Sequence, residues 1–540
     1  MNRRRFLQAS LLAVPELFAK ELSCDVAVIG GGVGGFAAAL GALRNGMRVI
    51  LTEETAWLGG QLTSQGVPPD EHQWIEKFGC TGTYRMYRNS VREYYRKNSR
   101  LTEAAKARED LNPGNGSVSR LTHEFLVSVA VLDGILAPWV NSGHLVLLTE
   151  HVPQSAAVVM DRIRSVTLRD LRGGATRTIA AKYFIDATEL GDLLALSGTE
   201  SVTGAESRAE TGELHAVDQA QPANSQSFTQ CFAMDYLKGE DHTIDKPGEY
   251  GQWRDYVPQL TPSWPGKLLS WTYCDPRTLA PKKAYLDPNP AREREGMNLW
   301  TYRRIIDRTN FVPGTYASDI TLVNWPQNDF WQGDLVTAIP EGRKELLKSA
   351  KQLSLSLLYW MQTEAGWKGL RLRRDIMGTE DGFARAPYIR ESRRIRAEFT
   401  VTEQHVGREM RKKLPAETFA DTVGIGAYRI DLHPSSGGTN YIDIDSLPFQ
   451  IPMGALIPKR MENLLAGGKN IGVTHITNGC FRLHPVEWNI GEAAGCLAAA
   501  AIKRKQPPRA IRSNQKLLED FQHLLGGQGF ELEWPAAIRQ

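Results

Sequence analysis

Three features of this 540-residue sequence predict an α/β fold with a second domain inserted into it. Near the start, two apolar β-branched stretches flank a glycine-rich turn and an alanine-rich segment. A further apolar stretch ends in Asp186, and a strand with its own glycine-rich turn returns only at Asn463–Ile471. Pieces of one layered unit are thus interrupted by about 220 residues of different character, which is how an inserted domain reads in a sequence.

The first element is Asp25–Ile29, a short apolar run suited to a buried parallel strand. Gly30, Gly32 and Gly35 then fit G-x-G-x-x-G, Phe36–Arg44 reads as a helix, Gly46 stops it, and Arg48–Thr52 reads as a second strand ending at Glu53. This strand, turn, helix, strand and acidic end form the Rossmann-like dinucleotide fingerprint. Gly30 permits the tight turn, Gly32 lets the backbone approach a pyrophosphate, and Gly35 lets helix and strand pack closely. The helix N-terminus offers free N–H groups to phosphate, and Glu53 can accept from a ribose diol.

Leu145–Leu148 reads as a strand. Ala156–Leu168 and Thr176–Ala181 read as paired strands around Gly173-Gly174, a hairpin extension of the parallel sheet. Tyr183–Thr188 reads as another buried strand, with Asp186 at its end. In the middle, Glu341–Gly366 has the apolar spacing of one long helix. That region carries eight of the 13 tryptophans (Trp253, Trp264, Trp271, Trp300, Trp325, Trp331, Trp360 and Trp367), read as core packing, with the lining of a flat apolar site as the alternative. An alanine-rich helix runs from about Trp488 to Lys505. Small residues around Gly491 suit close packing, and its N-terminal end suits a negatively charged group. A tail helix is expected over Ser513–Leu525.

Composition excludes several classes. Lys and Arg total 64 against 61 Asp and Glu, a net charge of +3, without the basic excess of a nucleic-acid binder. With 42% hydrophobic and 23% charged residues the chain can bury a large core and is not disordered. No run of 18 apolar residues would cross a membrane. The six cysteines lack Cys-x-x-Cys or zinc spacing and are expected as buried thiols, and no metal site is predicted.

Three separated signatures resemble the FAD-dependent oxidoreductase family of glutathione-reductase-like flavoproteins, some of whose members carry the label xanthan lyase-like. They are Ile29–Gly35 with Gly59-Gly60-Gln61-Leu62-Thr63, then Ile185-Asp186-Ala187-Thr188 with Gly191-Asp192, then Asn463–Asn470 with Arg482, Pro485 and Gly491–Gly495. Asn324–Asp329, Arg390–Ile395 and Ile430–His433 echo it further. Glu189 departs from the usual glycine, and Thr474–Ile476 and Asn478–Cys480 depart from the usual Ser and Ala. The resemblance implies one FAD contacting Gly60, Gln61, Thr63, Val152 through its backbone, Asp186, Ala187, Gly468, Asn470, Asn489, Ile490 and Gly491, besides Gly30, Gly32, Gly35 and Glu53. It also implies FAD-binding segments at 22–200 and 421–505, a substrate domain of α+β type at 201–420, and a tail at 506–540.

For catalysis, His433, Arg482 and His484 are the candidates, with His475 as a further histidine near the FAD segment. Asp431 is placed to orient His433 if their strand is regular. Arg482 suits a carboxylate or the flavin edge. Glu391 with Arg390, Arg393 and Arg394 reads as a structural ion network. The expected reaction is hydride transfer between flavin N5 and a small organic substrate, with an unidentified electron acceptor. Fumarate-reductase-like reduction of an activated C=C bond and non-redox, elimination-type chemistry remain open. A monooxygenase or halogenase is disfavoured, because Trp-x-Trp-x-Ile-Pro is absent. Asn2-Arg3-Arg4-Arg5-Phe6-Leu7-Gln8 has the form of a twin-arginine export signal, spanning 1–21. It predicts an encounter with the export machinery and a periplasmic or secreted location; without it the protein is cytoplasmic.

Overall fold

A computed structural model describes residues 21–288, 295–411 and 414–538. Residues 1–20 of the twin-arginine-type segment lie outside the described residues. Strands β1 (Leu22–Ile29), β2 (Val49–Glu53), β3 (Leu145–Thr149), β4 (His151–Val159), β5 (Arg162–Asp170) and β6 (Thr176–Asp186) form a sheet in the order β3-β2-β1-β6-β5-β4. β1 runs parallel to β2 and β6, and β2 runs parallel to β3. The strand Leu464–Ala466 joins the same sheet parallel to β6, bringing the late glycine-rich turn beside the first one.

β6 has two partners along one edge. Its first half pairs antiparallel with β5, as in Leu168↔Arg177, and its second half pairs with the late strand, as in Leu464↔Phe184. Two strand expectations are corrected here. Ala156–Leu168 is not one strand, because the chain reverses at Met160-Asp161, with Met160 at φ 53°. The polar pair Asp161-Arg162 breaks the apolar pattern at that turn. Thr176–Ala181 and Tyr183–Thr188 are one strand rather than two.

Helix α1 (Val33–Arg44) packs on the helix His484–Arg504 through glycines. A Cβ on Gly491 would run into the backbone of Gly34, and one on Gly495 into the carbonyl of Ala38. These helices therefore touch backbone to backbone, and the two distant glycine-rich turns are locked together.

The inserted stretch builds a four-stranded antiparallel sheet from Arg304–Ile306, Ile320–Val323, Phe232–Tyr236 and Leu370–Leu372. The helix Pro340–Thr363 buries Leu353, Leu357, Leu358 and Met361. Trp253, Trp300 and Trp325 are fully buried in this second core, so these aromatics are packing residues. After residue 506 the chain folds back: Phe521 and Leu525 of Gln515–Gly527 are buried, and Trp534 Nε1 donates to the carbonyl of Phe449. All six cysteines are free, and only Cys24 is not fully buried. Among the described residues no helix is long and apolar enough to cross a membrane.

Candidate active site

The first glycine-rich turn leads into α1 with Gly32 as N-cap. No side chain caps that helix, and its first turn holds no acid. Its N–H groups and positive dipole end are thus left for an external anion. Gly30 takes φ 99°, a conformation closed to other residues without strain, and a Cβ there would strike the carbonyl of Ala187. Gly35 packs against the carbonyl of Gly30. Glu53 ends β2 in register with Thr149 of β3, and Val152 follows in β4, its backbone opposite Arg169. The Glu53 carboxylate accepts from Gly31 N at 2.9 Å and from Thr55 N at 2.9 Å. Burial pushes this carboxyl up to about 7.

Gly59 and Gly60 have φ 103° and 48°, which turns the loop back under α1. Gln61 is buried; its Nε2 donates to the carbonyl of Arg482 at 3.0 Å and to Glu487, and its Oε1 has no partner. Thr63 Oγ1 donates to Leu58 O at 2.6 Å, within its own loop. Opposite, Gly468 N donates to Asn470 Oδ1 at 3.2 Å, and Asn470 Nδ2 donates to the carbonyl of Asp186 at 2.9 Å. The fully buried Lys469 bridges Glu189 and Glu487. Neither Glu189 nor Lys469 stood out in the sequence as a site residue, although Glu189 was visible as a departure from the usual glycine.

Other predicted residues have these surroundings. The carboxylate of Asp186 accepts from Thr188 N, Thr188 Oγ1 and Leu194 N, so it caps a turn. The late helix begins at His484, with Pro485 in its first turn, and not near Trp488. Asn489, Ile490 and Gly491 therefore sit in its second turn. Asn489 donates to Val423 O at 3.1 Å, Ile490 is core, and Gly491 packs on Gly34. Proline favours the first helical turn, so His484-Pro485 carried the missed signal.

A second cluster adjoins this one. His433 Nδ1 lies 2.6 Å from Asp329 Oδ2, and its Nε2 lies 3.6 Å from Asp431. The tight partner of His433 is thus a residue of the inserted stretch; Asp431 is the looser one. Arg390 donates to Asp329 at 2.9 Å and stacks over the ring of Tyr388 at 4.6 Å. Arg482 donates to Tyr388 Oη at 2.7 Å and to Asp431 at 3.1 Å. Although burial opposes ionisation, Arg390 and His433 hold Asp329 down at about 2. Asp431 is likewise held well below the usual carboxylate range by His433 and Arg482, against burial.

The other histidines differ. Asp70 N donates to His484 Nδ1 at 3.0 Å, which leaves the proton on Nε2. Burial, followed by the charges of Arg303, Lys469 and Arg482, pushes His484 down to about 3. It is a neutral donor and a poor base. His475 Nδ1 bonds Glu391 at 2.9 Å within a network that includes Arg394. The expected arginine network is therefore divided: Arg394 belongs to it, Arg390 faces Asp329, and Arg393 bonds the carbonyls of Leu190 and Val336.

The residues fit a bound dinucleotide of the flavin type. An uncapped helix N-terminus lies beside Glu53, and Gln61 Oε1, Asn478 Oδ1 and His484 Nε2 are buried without a partner among the described residues. A family model described as FAD dependent oxidoreductase matches residues 25–525. A search of curated proteins finds no match. Among solved structures, an E. coli quinol fumarate reductase variant is 11% identical, covers 94% of this chain and 74% of its own, and gives a TM-score of 0.32. The anhydrotetracycline hydroxylase of Streptomyces rimosus is 11% identical, with 93% and 66% covered and a TM-score of 0.33. The L-proline dehydrogenase of P. horikoshii is 17% identical, with 34% and 24% covered and a TM-score of 0.18, so the chain spans about a quarter of that protein. Likeness at this level carries no reading of substrate or reaction.

Proposed function

The chain belongs to the FAD dependent oxidoreductase family, and from that premise we propose that it moves a hydride between its flavin and a small organic substrate held at the His433 centre. FAD is the cofactor, and it supplies the hydride acceptor or donor when bound. The observation that carries the reading is one hydrogen bond: Gln61 of the cofactor loop donates to the carbonyl of Arg482, whose side chain holds Asp431. Cofactor loop and polar cluster are therefore one unit.

In this reading Gly30, Gly32 and the first turn of α1 hold the pyrophosphate, Glu53 the ribose, and the backbone of Val152 the adenine. Gly60, Gln61 and the start of helix His484–Arg504 face the flavin. His433 takes or gives the substrate proton at Nε2, because Asp329 occupies Nδ1. Arg482 and Tyr388 fix Asp431. His484 donates a hydrogen bond from Nε2 and exchanges no proton. The twin-arginine-type start supports a periplasmic or exported setting, with an electron acceptor reached there.

The test is anaerobic mixing of the yellow protein with a panel of donors, and of the chemically reduced protein with acceptors. Bleaching or reoxidation supports the reading; spectral silence in both directions across a broad panel favours non-redox chemistry.

A further inference from the structure

The cations at this centre form a regular pattern. Arg303 faces Asp70 at 3.4 Å, Arg390 faces Asp329 at 2.9 Å, Arg482 faces Asp431 at 3.1 Å, and Arg429 faces Asp443. Lys469 lies between Glu189 and Glu487. Four guanidiniums thus have five aspartates, since Arg429 also meets Asp445, and the ammonium of Lys469 has two glutamates. His433 itself sits between Asp329 and Asp431.

Among the described residues of this centre no positive charge is left over. A carboxylate or phosphate entering here would add a desolvated anion to a set already balanced or negative, and no free cation would offset it. Recognition of anions by arginine depends on a guanidinium that is free to pair with them. What the centre does leave free is hydrogen-bonding capacity without net charge. The Nε atoms of Arg303, Arg390 and Arg482 are buried and unpartnered. Asp431 and His433 are each 21% exposed, so they are the accessible acceptors. The half-buried phenols of Tyr302 and Tyr428 lie among the same carboxylates.

We infer that the substrate taken at the His433 centre is an uncharged hydroxylated compound, an alcohol or polyol or the matching carbonyl compound, and not a carboxylate. Its hydroxyl donates towards Asp431 and His433, and its oxygen accepts from arginine N–H groups. Asp431 is then the specificity-determining residue, because it cancels the charge with which Arg482 would otherwise capture an acid. The inference rests on the proposed function in placing the substrate at this centre.

The test uses the flavin-loaded protein, anaerobically, and reads perturbation of the flavin spectrum on titration. The neutral probes are myo-inositol and cyclohexane-1,2-diol; the acidic probes are succinate and lactate. The wild type is expected to bind at least one neutral probe about tenfold or more tighter than either acid. Asp431→Asn is expected to reverse this, with acids gaining about tenfold or more because Arg482 loses its counter-charge. Asp431→Ser serves as a second variant, and flavin content reports whether each is folded. Tighter binding of succinate or lactate by the wild type overturns the inference. So does silence of both neutral probes, or unchanged acid affinity in flavin-loaded Asp431 variants. Binding of any probe that His433→Asn leaves unaltered would place the substrate elsewhere, and would overturn the proposed function itself.

Discussion

Asp329 Oδ2 and His433 Nδ1 lie 2.6 Å apart although 104 residues separate them in the chain. One comes from the inserted stretch and the other from the segment that returns to the cofactor fold. A buried carboxylate at this distance sets the tautomer and the ring plane of the histidine and leaves Nε2 for chemistry. Thr229 and Arg390 in turn hold the carboxylate.

Asp329→Asn should therefore slow substrate-dependent flavin reduction by about a hundredfold or more while flavin stays bound. It also removes a buried partner of Arg390, so a fall in thermal stability is expected alongside. The split between kcat and KM separates positioning from plain structural damage. Asn should lower kcat with KM little changed, and Asp329→Glu should restore part of kcat. A loss confined to thermal stability, with kcat unchanged in both variants, would leave Asp329 with a structural role only.

Two glycines of the fingerprint should behave differently. A Cβ at Gly35 would enter the carbonyl of Gly30, so Gly35→Ala should lower the yield of soluble protein. A Cβ at Gly32 meets only Glu189 Oε1, at 2.6 Å, the far end of a flexible side chain. Gly32→Ala should thus fold and lose flavin. Absorbance at the flavin maximum, divided by protein concentration, measures this; full occupancy in Gly32→Ala would contradict the pyrophosphate assignment.

Glu213 is buried and accepts from Glu403 N and Thr474 Oγ1. Burial pushes its carboxyl up to about 7. A carboxyl whose folded value lies above its unfolded value of about 4.5 contributes its stability in the protonated form. That contribution is complete below pH ~4.5 and is lost as pH rises through about 7. Glu213→Gln should match the wild type near pH 5 and exceed it at pH 8 by about 1 kcal/mol or more. Thermal melts at the two pH values decide it, and an equal or lower melting temperature of the variant at pH 8 would refute it.

The export reading predicts that Arg3→Lys with Arg4→Lys keeps the protein in the cytoplasm. Fractionation of cells expressing both forms measures this, and an unchanged periplasmic yield would discard it.

The parts of the fold that could be read from sequence are those specified locally. The turn from Gly30 to Gly35, with its flanking strand and helix, is written in consecutive residues, as is the acid at Glu53. His433 and Arg482 stand out by type as candidates, because few residues suit proton transfer or pairing at a flavin. Their partners were not. Asp329 sits in Asn324–Asp329, and Arg390 beside Glu391, where side-chain chemistry alone suggests turns and surface ion pairs. Only tertiary convergence brings them to His433. The misplaced helix start had another cause: the apolar, small-residue pattern around Gly491 reports packing on α1, whereas Pro485 marks the end of the helix that matters for a cofactor.

In the proposed function His433 handles the proton when the bound flavin exchanges a hydride with its substrate. Single-turnover anaerobic reduction of wild type and His433→Asn, by whichever donor bleaches the wild type, decides whether it does. Equal flavin content, an unaltered oxidised spectrum, and reduction about a hundredfold or more slower in the variant are expected. Equal reduction rates in the two proteins would contradict it.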